Sequence, residues 1–459
     1  MASFTIEEVL KAVDGVLVRR GNAGLCRGVS TDTRTLEEGN LFIPLSGEHF
    51  DGHRFLSSAA EKGAAAVVVS NREAADNLPP AVTVIAAGDT LRALEDLARF
   101  HRQRFSVPVV AVTGSNGKTT TKDMISAVLK TTYRVCHTKK NFNNEIGLSQ
   151  TLLSLTEDDE MCVVEMGMRG LGQIAELCRI ACPTVGVVTN VGTSHIGLLG
   201  SRENIARAKG ELIDALPAGG TAILNEDDDF VRAMGDRYAG RVVSYGVAHG
   251  KDVRAEHVEQ RPEAMDFQCS LFGETFPVHL PMIGIHNVYD ALAAAAAGRV
   301  LGVSGERIRQ ALECFRPQGD SQKIETVGGV RVLNDSYNAN PLSMEMAFRS
   351  FAQMEGRRHI LVLGDMLELG RYEEEFHRDM GRRAAEMGFD AMITVGPLAK
   401  LMADAARQAG LADTVSFSDC RSAAAYIRAY AEAGDAVLIK GSHAMHLETI
   451  PGLWRGEAE

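Results

Sequence analysis

The sequence predicts a three-domain α/β protein. A small α/β domain is expected at residues 1–106 and a central parallel sheet of the phosphate-loop type, helices on both faces, at 107–316. A doubly wound, Rossmann-like domain is expected at 317–459. Three observations predict this. The 459 residues amount to about three domains of roughly 150 residues each. From Val107 onward, short β-branched runs alternate with helical segments, the pattern of a parallel sheet covered on both faces. The same alternation resumes after Pro317 and Gly319 interrupt it.

In the first domain, residues 40–45 read as a short strand, 55–62 as a helix stopped by Gly63, and 64–69 as a buried strand. Asp89 is placed to cap a helix over residues 90–104, whose Leu91, Leu94, Leu97 and Ala98 share one face. Pro108 then opens a new strand. Buried strands are expected at 109–113, 162–166, 185–190 and 221–225, followed by an Ala-rich helix at 287–302 and another helix at 304–315. In the last domain, strands are expected at 330–334, 359–364, 391–395 and 436–440, with helices between them.

Composition narrows the function. Hydrophobic residues make up 45% and charged residues 24%, ordinary globular usage. With 48 basic against 60 acidic residues, the formal charge of −12 is poorly suited to tracking a phosphodiester backbone, so no nucleic acid partner is expected. The beginning of the chain carries Glu7 and Glu8 without an apolar run, which argues against a signal peptide. The longest uncharged stretch, 180–201, is broken by Pro183, Thr189, Asn190, Thr193, Ser194 and His195, and membrane insertion is not expected. Eight cysteines occur without a C-x-x-C pair, and Cys178 and Cys182 read as small buried thiols. A reduced, cytoplasmic protein is expected.

The chemistry is concentrated in Gly114-Ser115-Asn116-Gly117-Lys118-Thr119-Thr120, where a buried strand runs through a glycine turn into a helix. Glycines let backbone wrap a phosphate chain, amides at the helix start face its oxygens, Lys118 can reach the terminal phosphates, and Thr119 can ligate Mg²⁺. Val112 stands where the usual pattern has its first glycine, so the loop is a variant. Glu165 ends a predicted buried strand, where open α/β sheets bind ligands, and a hard cation prefers such an oxygen donor. His195 lies in Thr193-Ser194-His195, just past another strand. Lys209 falls four after Ile205 and three before Leu212, so it shares their stripe and points inward. A buried lysine needs a reason.

Together with His286-Asn287, Asn334 to Pro341, Gly364 to Gly370 and Lys440-Gly441-Ser442, these motifs resemble the Mur ligase family across essentially the whole chain. Ser30 to Arg34, Phe50 to His53, Asn141 to Gly147 and Ala208 to Glu211 extend the likeness. Within the family, the branch that joins D-alanyl-D-alanine to UDP-N-acetylmuramoyl-tripeptide is most similar. The resemblance implies an ATP-dependent amide ligase, acting through an acyl phosphate in peptidoglycan precursor synthesis, with those two substrates as its partners and a monomer as the expected state. It implies ATP on Gly114, Ser115, Asn116, Gly117, Lys118, Thr119 and Thr120, with Asn287 near the adenine and Asp335 approaching from the last domain. It implies two Mg²⁺ ions, Thr119 and Glu165 on one and His195 on the other, and carbamylation of Lys209, which would join the metal site as an anion. Thr31, Asp32, Arg34, Asn143 and Asn144 are implied contacts of the UDP part. Lys323 stands nearest to the place of an arginine thought to serve the nucleotide, and His443 where an arginine often follows Lys-Gly-Ser; lysine keeps the charge but loses the bidentate fork. The alternatives are the family member that adds the third peptide residue and a non-catalytic relative. Versions of the former that select diaminopimelate carry Asp-Asn-Pro-Arg, which is absent here.

Overall fold

The computed structural model describes residues 2–47, 50–139, 141–317 and 322–457. Gly319, Asp320 and Ser321, at the expected break before the last domain, lie outside the described residues.

Three principal sheets organise the chain. In the first, Thr83–Ala86, Ala66–Val69, Leu41–Phe42 and Val29–Ser30 run parallel, and Val16–Arg19 adds antiparallel to the edge. The strand expected at 40–45 is thus only two residues long; Pro44, which has no amide to donate, follows it closely. Asp89 caps the helix Thr90–Arg102 by accepting from the amides of Leu91 and Arg92, and Leu94, Leu97 and Ala98 are fully buried.

The central sheet has nine strands. Seven parallel ones form most of it: Val135–His137, Met161–Glu165, Val109–Thr113, Val185–Val188, Thr221–Asn225, Arg241–Gly246 and Val253–Gln260, in spatial order. Met265–Leu271 and Glu274–Leu280 then extend it as an antiparallel meander that the sequence reading does not include. Their signature is alternation: Met265, Phe267, Cys269 and Leu271 are buried and the residues between them are not. The Ala-rich helix Ile285–Val300 is buried from Ala291 to Gly298 and packs on Lys118–Lys130, the helix that follows the phosphate loop. That second helix buries Met124, Ile125, Val128 and Leu129 completely. A small, flat helix surface lets the two axes come close, and their packing sets the loop's position against the sheet.

The last domain has one sheet, with Val330–Asn334, Ala436–Lys440, His359–Gly364, Ala391–Val395 and Thr414–Phe417 parallel and Lys323–Val327 antiparallel at its edge. All eight cysteines are free. Cys178 is buried in the helix Gln173–Ala181, whereas Cys182 ends that helix with φ 48° and is only half-buried. Among the described residues, no helix is long and apolar enough to cross a membrane.

Candidate active site

The carboxyl ends of the central strands open on a cavity of about 1670 Å³. Its floor is the segment Ser115 to Thr120, and Glu165, His195 and Lys209 line it from neighbouring elements. Asn287 borders it from the Ala-rich helix, and Asp335, Tyr337 and Lys440 from the last domain. Residues that stand far apart in sequence are brought together because every parallel strand ends on the same side of its sheet.

The loop is braced from below. A Cβ at Gly114 would lie 1.8 Å from the Thr189 hydroxyl, and one at Gly117 2.4 Å from Asp290 Oδ1, so both positions require glycine. The Thr189 hydroxyl and the Asn190 amide both donate to the Asn116 carbonyl, at 2.6 and 3.0 Å, while Asn190 Oδ1 accepts from the Asn116 amide at 3.0 Å. Gly117 takes φ 79° and starts the helix, and the Thr121 amide closes the first turn on the Gly117 carbonyl. Amides before Thr121 have no partner within the helix and face the cavity, a fixed positive surface for an anion. Lys118 Nζ folds back over the loop and donates to the carbonyls of Gly114 (3.0 Å) and Ser115 (3.3 Å). Burial holds its pKa below the ordinary lysine value against the opposing pull of Glu165.

Glu165 is 1% exposed. Its Oε1 accepts from Asn143 Nδ2 at 2.8 Å, and its amide donates to the Thr138 hydroxyl, but Oε2 is buried with no partner. A buried carboxylate oxygen left unpaired is a costly arrangement that a cation would relieve. Among the described residues no cluster of three or more His, Cys, Asp or Glu could hold a metal unaided. The donor set therefore fits a Mg²⁺ ion that takes one carboxylate, the Thr119 hydroxyl and nucleotide oxygens.

His195 adopts φ 63° at the start of a short helix, Ile196–Leu199. Its Nδ1 lies 2.5 Å from Glu368 Oε2 of the last domain, and the other Glu368 oxygen pairs with Arg169 at 3.1 Å. Burial lowers the His195 pKa, with Glu368 opposing, and the Nδ1 contact leaves Nε2 without a hydrogen-bond partner among the described residues.

Lys209 is 2% exposed, on the helix Arg202–Asp214 between fully buried Ile205 and Leu212, as the sequence stripe predicts. Among the described residues its ammonium has neither a hydrogen bond nor an ion pair. Burial, aided by Lys118, pushes its pKa well below the ordinary value. Lys440, equally buried, is fully engaged by Asp335 Oδ2 at 2.7 Å, the Asn338 carbonyl at 2.9 Å and the Asp335 carbonyl at 3.3 Å.

Of the remaining expected residues, Asn143, Asn144 and Asn287 border the cavity, while Thr31, Asp32, Arg34 and Lys323 do not. Asn287 is buried, its Nδ2 held by the Ile283 carbonyl at 2.7 Å. Asn144 is the exposed N-cap of the helix Glu145–Leu153, its Oδ1 accepting from the Gly147 amide, and it borders the cavity. Thr31 meets the same helix, accepting from Gln150 Nε2 at 3.2 Å, and Asp32 holds Arg34 through a forked contact. Lys323 does not line the cavity; it is exposed and borders an adjoining one of about 1350 Å³ with Gln322, Asn334 and His443.

Sequence reasoning misses several groups. Thr189 and Asn190 brace the loop from a strand end. Asp290, buried beneath Gly117, accepts from the Thr121 hydroxyl at 2.7 Å, and burial raises its pKa to about 7. A carboxylate immediately before the alanine run of this helix is the signal that could have found it. Asn340 precedes Pro341 and caps the helix Pro341–Phe351, the combination that marks a helix start.

Comparison with known proteins agrees along the whole chain. Residues 26–102 match the description "Mur ligase family, catalytic domain", 112–298 "Mur ligase middle domain", and 321–443 "Mur ligase, glutamate ligase domain". The UDP-N-acetylmuramoyl-tripeptide--D-alanyl-D-alanine ligase of Bacillus subtilis is 40% identical over 98% of this chain and 98% of its own. The Escherichia coli protein of the same name is 35% identical over 86% of each. A crystal structure of MurF from Acinetobacter baumannii superposes with a TM-score of 0.92 at 30% identity over all of both chains. MurF from Thermotoga maritima, solved with ADP, does so at 0.85 and 27% identity over 94% of this chain and 97% of that one. A braced phosphate loop, a buried strand-end glutamate and a buried lysine on one cavity thus occur in a chain matched over its full length: it belongs to the Mur ligase family.

Proposed function

We propose that the protein is an ATP-dependent ligase that joins D-alanyl-D-alanine to UDP-N-acetylmuramoyl-tripeptide in cytoplasmic peptidoglycan precursor synthesis. The observation that carries this reading is the end-to-end agreement with a relative named for that reaction, 40% identical over 98% of both chains. In this reading residues 1–106 hold the UDP part of the substrate, 107–316 hold ATP, and 317–459 complete the site. Thr31, Asp32, Arg34 and Asn143 are candidate UDP-side contacts, with Asn144 acting through the helix it caps.

A carboxylate resists attack by an amine because its leaving group would be oxide. Transfer of the ATP γ-phosphoryl group to it creates an acyl phosphate, and the amine of D-alanyl-D-alanine then displaces phosphate. The amides of residues 114–120 hold the phosphate chain, and Lys118 exchanges the loop carbonyls for the terminal phosphate oxygens. Asn287 borders the adenine end. Asp335, fixed by Lys440, reaches the nucleotide from the opposite wall, and Lys323 acts from the adjoining cavity as a point charge.

Thr119 and Glu165 would hold one Mg²⁺ ion and His195 a second; bound there, the ions supply charge neutralisation for the in-line transfer. Lys209 as an unpaired ammonium would repel them. Its depressed pKa favours the free amine, whose lone pair can add to CO₂ with loss of a proton, giving a carbamate that faces the metal site as an anion. Contact between the last two domains over this cavity excludes water that would hydrolyse the acyl phosphate.

Phosphate release against a panel of UDP-linked acceptors and amine donors tests the reading. ATP cleavage should require the tripeptide acceptor together with D-alanyl-D-alanine. Activity with a dipeptide acceptor plus lysine or diaminopimelate, and none with D-alanyl-D-alanine, refutes it.

A further inference from the structure

The last domain touches the phosphate loop itself. Asn340 Nδ2 donates to Asn116 Oδ1 at 2.6 Å, and Asn116 Nδ2 donates back to Asn340 Oδ1 at 3.3 Å, a reciprocal amide pair between two domains. The second Asn340 N–H reaches the Ser194 hydroxyl at 2.9 Å, beside His195. Its Oδ1 also accepts from the Ser343 amide at 3.0 Å, capping the helix Pro341–Phe351. Asn340 is 2% exposed, and every hydrogen-bonding position of its side chain is filled.

Asn116 is therefore held from two sides. Its backbone is fixed from its own domain by Thr189 and Asn190, whereas among the described residues its side chain is hydrogen-bonded from the last domain alone. Just beside this node, Gly192 fills the remaining space: a Cβ there would meet Leu342 Cδ2 at 3.3 Å and Ser115 Cβ at 3.4 Å. Undocking the last domain would strip Asn116 and Ser194 of buried partners at once, so the two amides and the hydroxyl are satisfied together only in the docked arrangement.

We infer that Asn340 is a positioning residue that makes the seating of the Asn116 side chain in the phosphate loop, and of the adjoining Ser194-His195 turn, conditional on docking of the last domain. It rests on the ligase reading above, in that the loop is taken to hold ATP. Phosphoryl transfer depends on alignment, so a loop set by docking ties the chemical step to the state in which water is excluded.

Asn340→Asp separates this role from helix capping, because aspartate caps as well as asparagine but offers no N–H donor. The measurements are steady-state ATP kinetics, ADP affinity by calorimetry and the thermal midpoint, for wild type, Asn340→Asp, Asn340→Ala, Asn116→Ala and the double alanine variant. Expected are a thermal midpoint for Asn340→Asp no lower than that of Asn340→Ala, ADP affinity and kcat/KM for ATP each about ten-fold lower than wild type, and a double alanine variant no worse than the poorer single one. Asn340→Asp equal to wild type in ADP affinity and kcat/KM, or losses that add independently in the double variant, overturn the inference. Wild-type protein that binds no adenine nucleotide overturns the ligase reading and the latch together. Wild-type protein that binds and turns over while its variants act independently overturns the latch alone.

Discussion

The two walls of the cavity each carry a lysine that is 2% exposed, and they solve the same problem in opposite ways. On the last-domain wall, Lys440 has a carboxylate and two carbonyls around its ammonium. On the central-domain wall, Lys209 has no partner among the described residues and lies close enough to Lys118 for the two to repel. A satisfied buried charge fixes local structure. An unsatisfied one is stable only if it loses its charge or acquires another. The comparison separates a lysine that builds the site from one that awaits chemistry.

The largest effect is expected at Lys209. Lys209→Ala should lower turnover by about 100-fold or more while leaving the fold intact, as removal of a charge-stabilising group at a transition state commonly does. Formate or acetate should restore part of the activity by standing in for the proposed carbamate. Full activity in the variant, or loss with a collapsed fold and no rescue, would make Lys209 a packing residue.

Lys440→Met should behave differently. Removing the ammonium frees Asp335 and the Asn338 carbonyl, so unfolding free energy should fall by about 2 kcal/mol and turnover by about ten-fold. Small carboxylates should rescue nothing here. Denaturant titration beside the same kinetic assay checks both, and rescue by acetate would erase the contrast between the two walls.

Asp290 sharpens the comparison with a buried group of the other sign. Its raised pKa, about 7 against the ordinary 3.8, means the folded state keeps a proton that the unfolded chain has already lost between those values. Stability contributed by this group therefore falls as pH rises from about 4 to about 7 and is constant above. Asp290→Asn keeps an acceptor for the Thr121 hydroxyl and removes the titration. The variant should be more stable than wild type at pH 8, and the difference should vanish near pH 4; a difference independent of pH would mean that Asp290 is ionised in the fold.

The smallest effect is expected at Lys323, an exposed charge beside the adjoining cavity. Lys323→Ala should raise KM for ATP by up to about five-fold, and Lys323→Arg should be tolerated, because exposed charges act weakly through screening. Unchanged ATP kinetics in the alanine variant would show a solvated charge only.

Much of this was legible because it is local. The strands Val109–Thr113, Thr221–Asn225, Val330–Asn334, His359–Gly364, Ala391–Val395 and Ala436–Lys440 agree with the residues expected from β-branched runs. Asp89 caps the helix it was expected to cap, and the inward direction of Lys209 follows from three- and four-residue spacing alone. The antiparallel meander was readable in principle from its alternation. Asn144 shows a role the residue type alone does not give: its Oδ1 caps the helix Glu145–Leu153, a choice set by where the helix begins.

The sequence by itself determined the phosphate loop, the strand-end glutamate and the stripe that buries Lys209, since each depends on neighbours within a few residues. Only the tertiary structure decided the rest. The orphaned oxygen of Glu165, the Glu368 contact on His195, the absence of a partner for Lys209 among the described residues, and the Asn116–Asn340 pair across 224 positions of chain all depend on which elements pack together. Whether a buried polar group is satisfied is a property of its surroundings in space, and spacing along the chain carries no record of it.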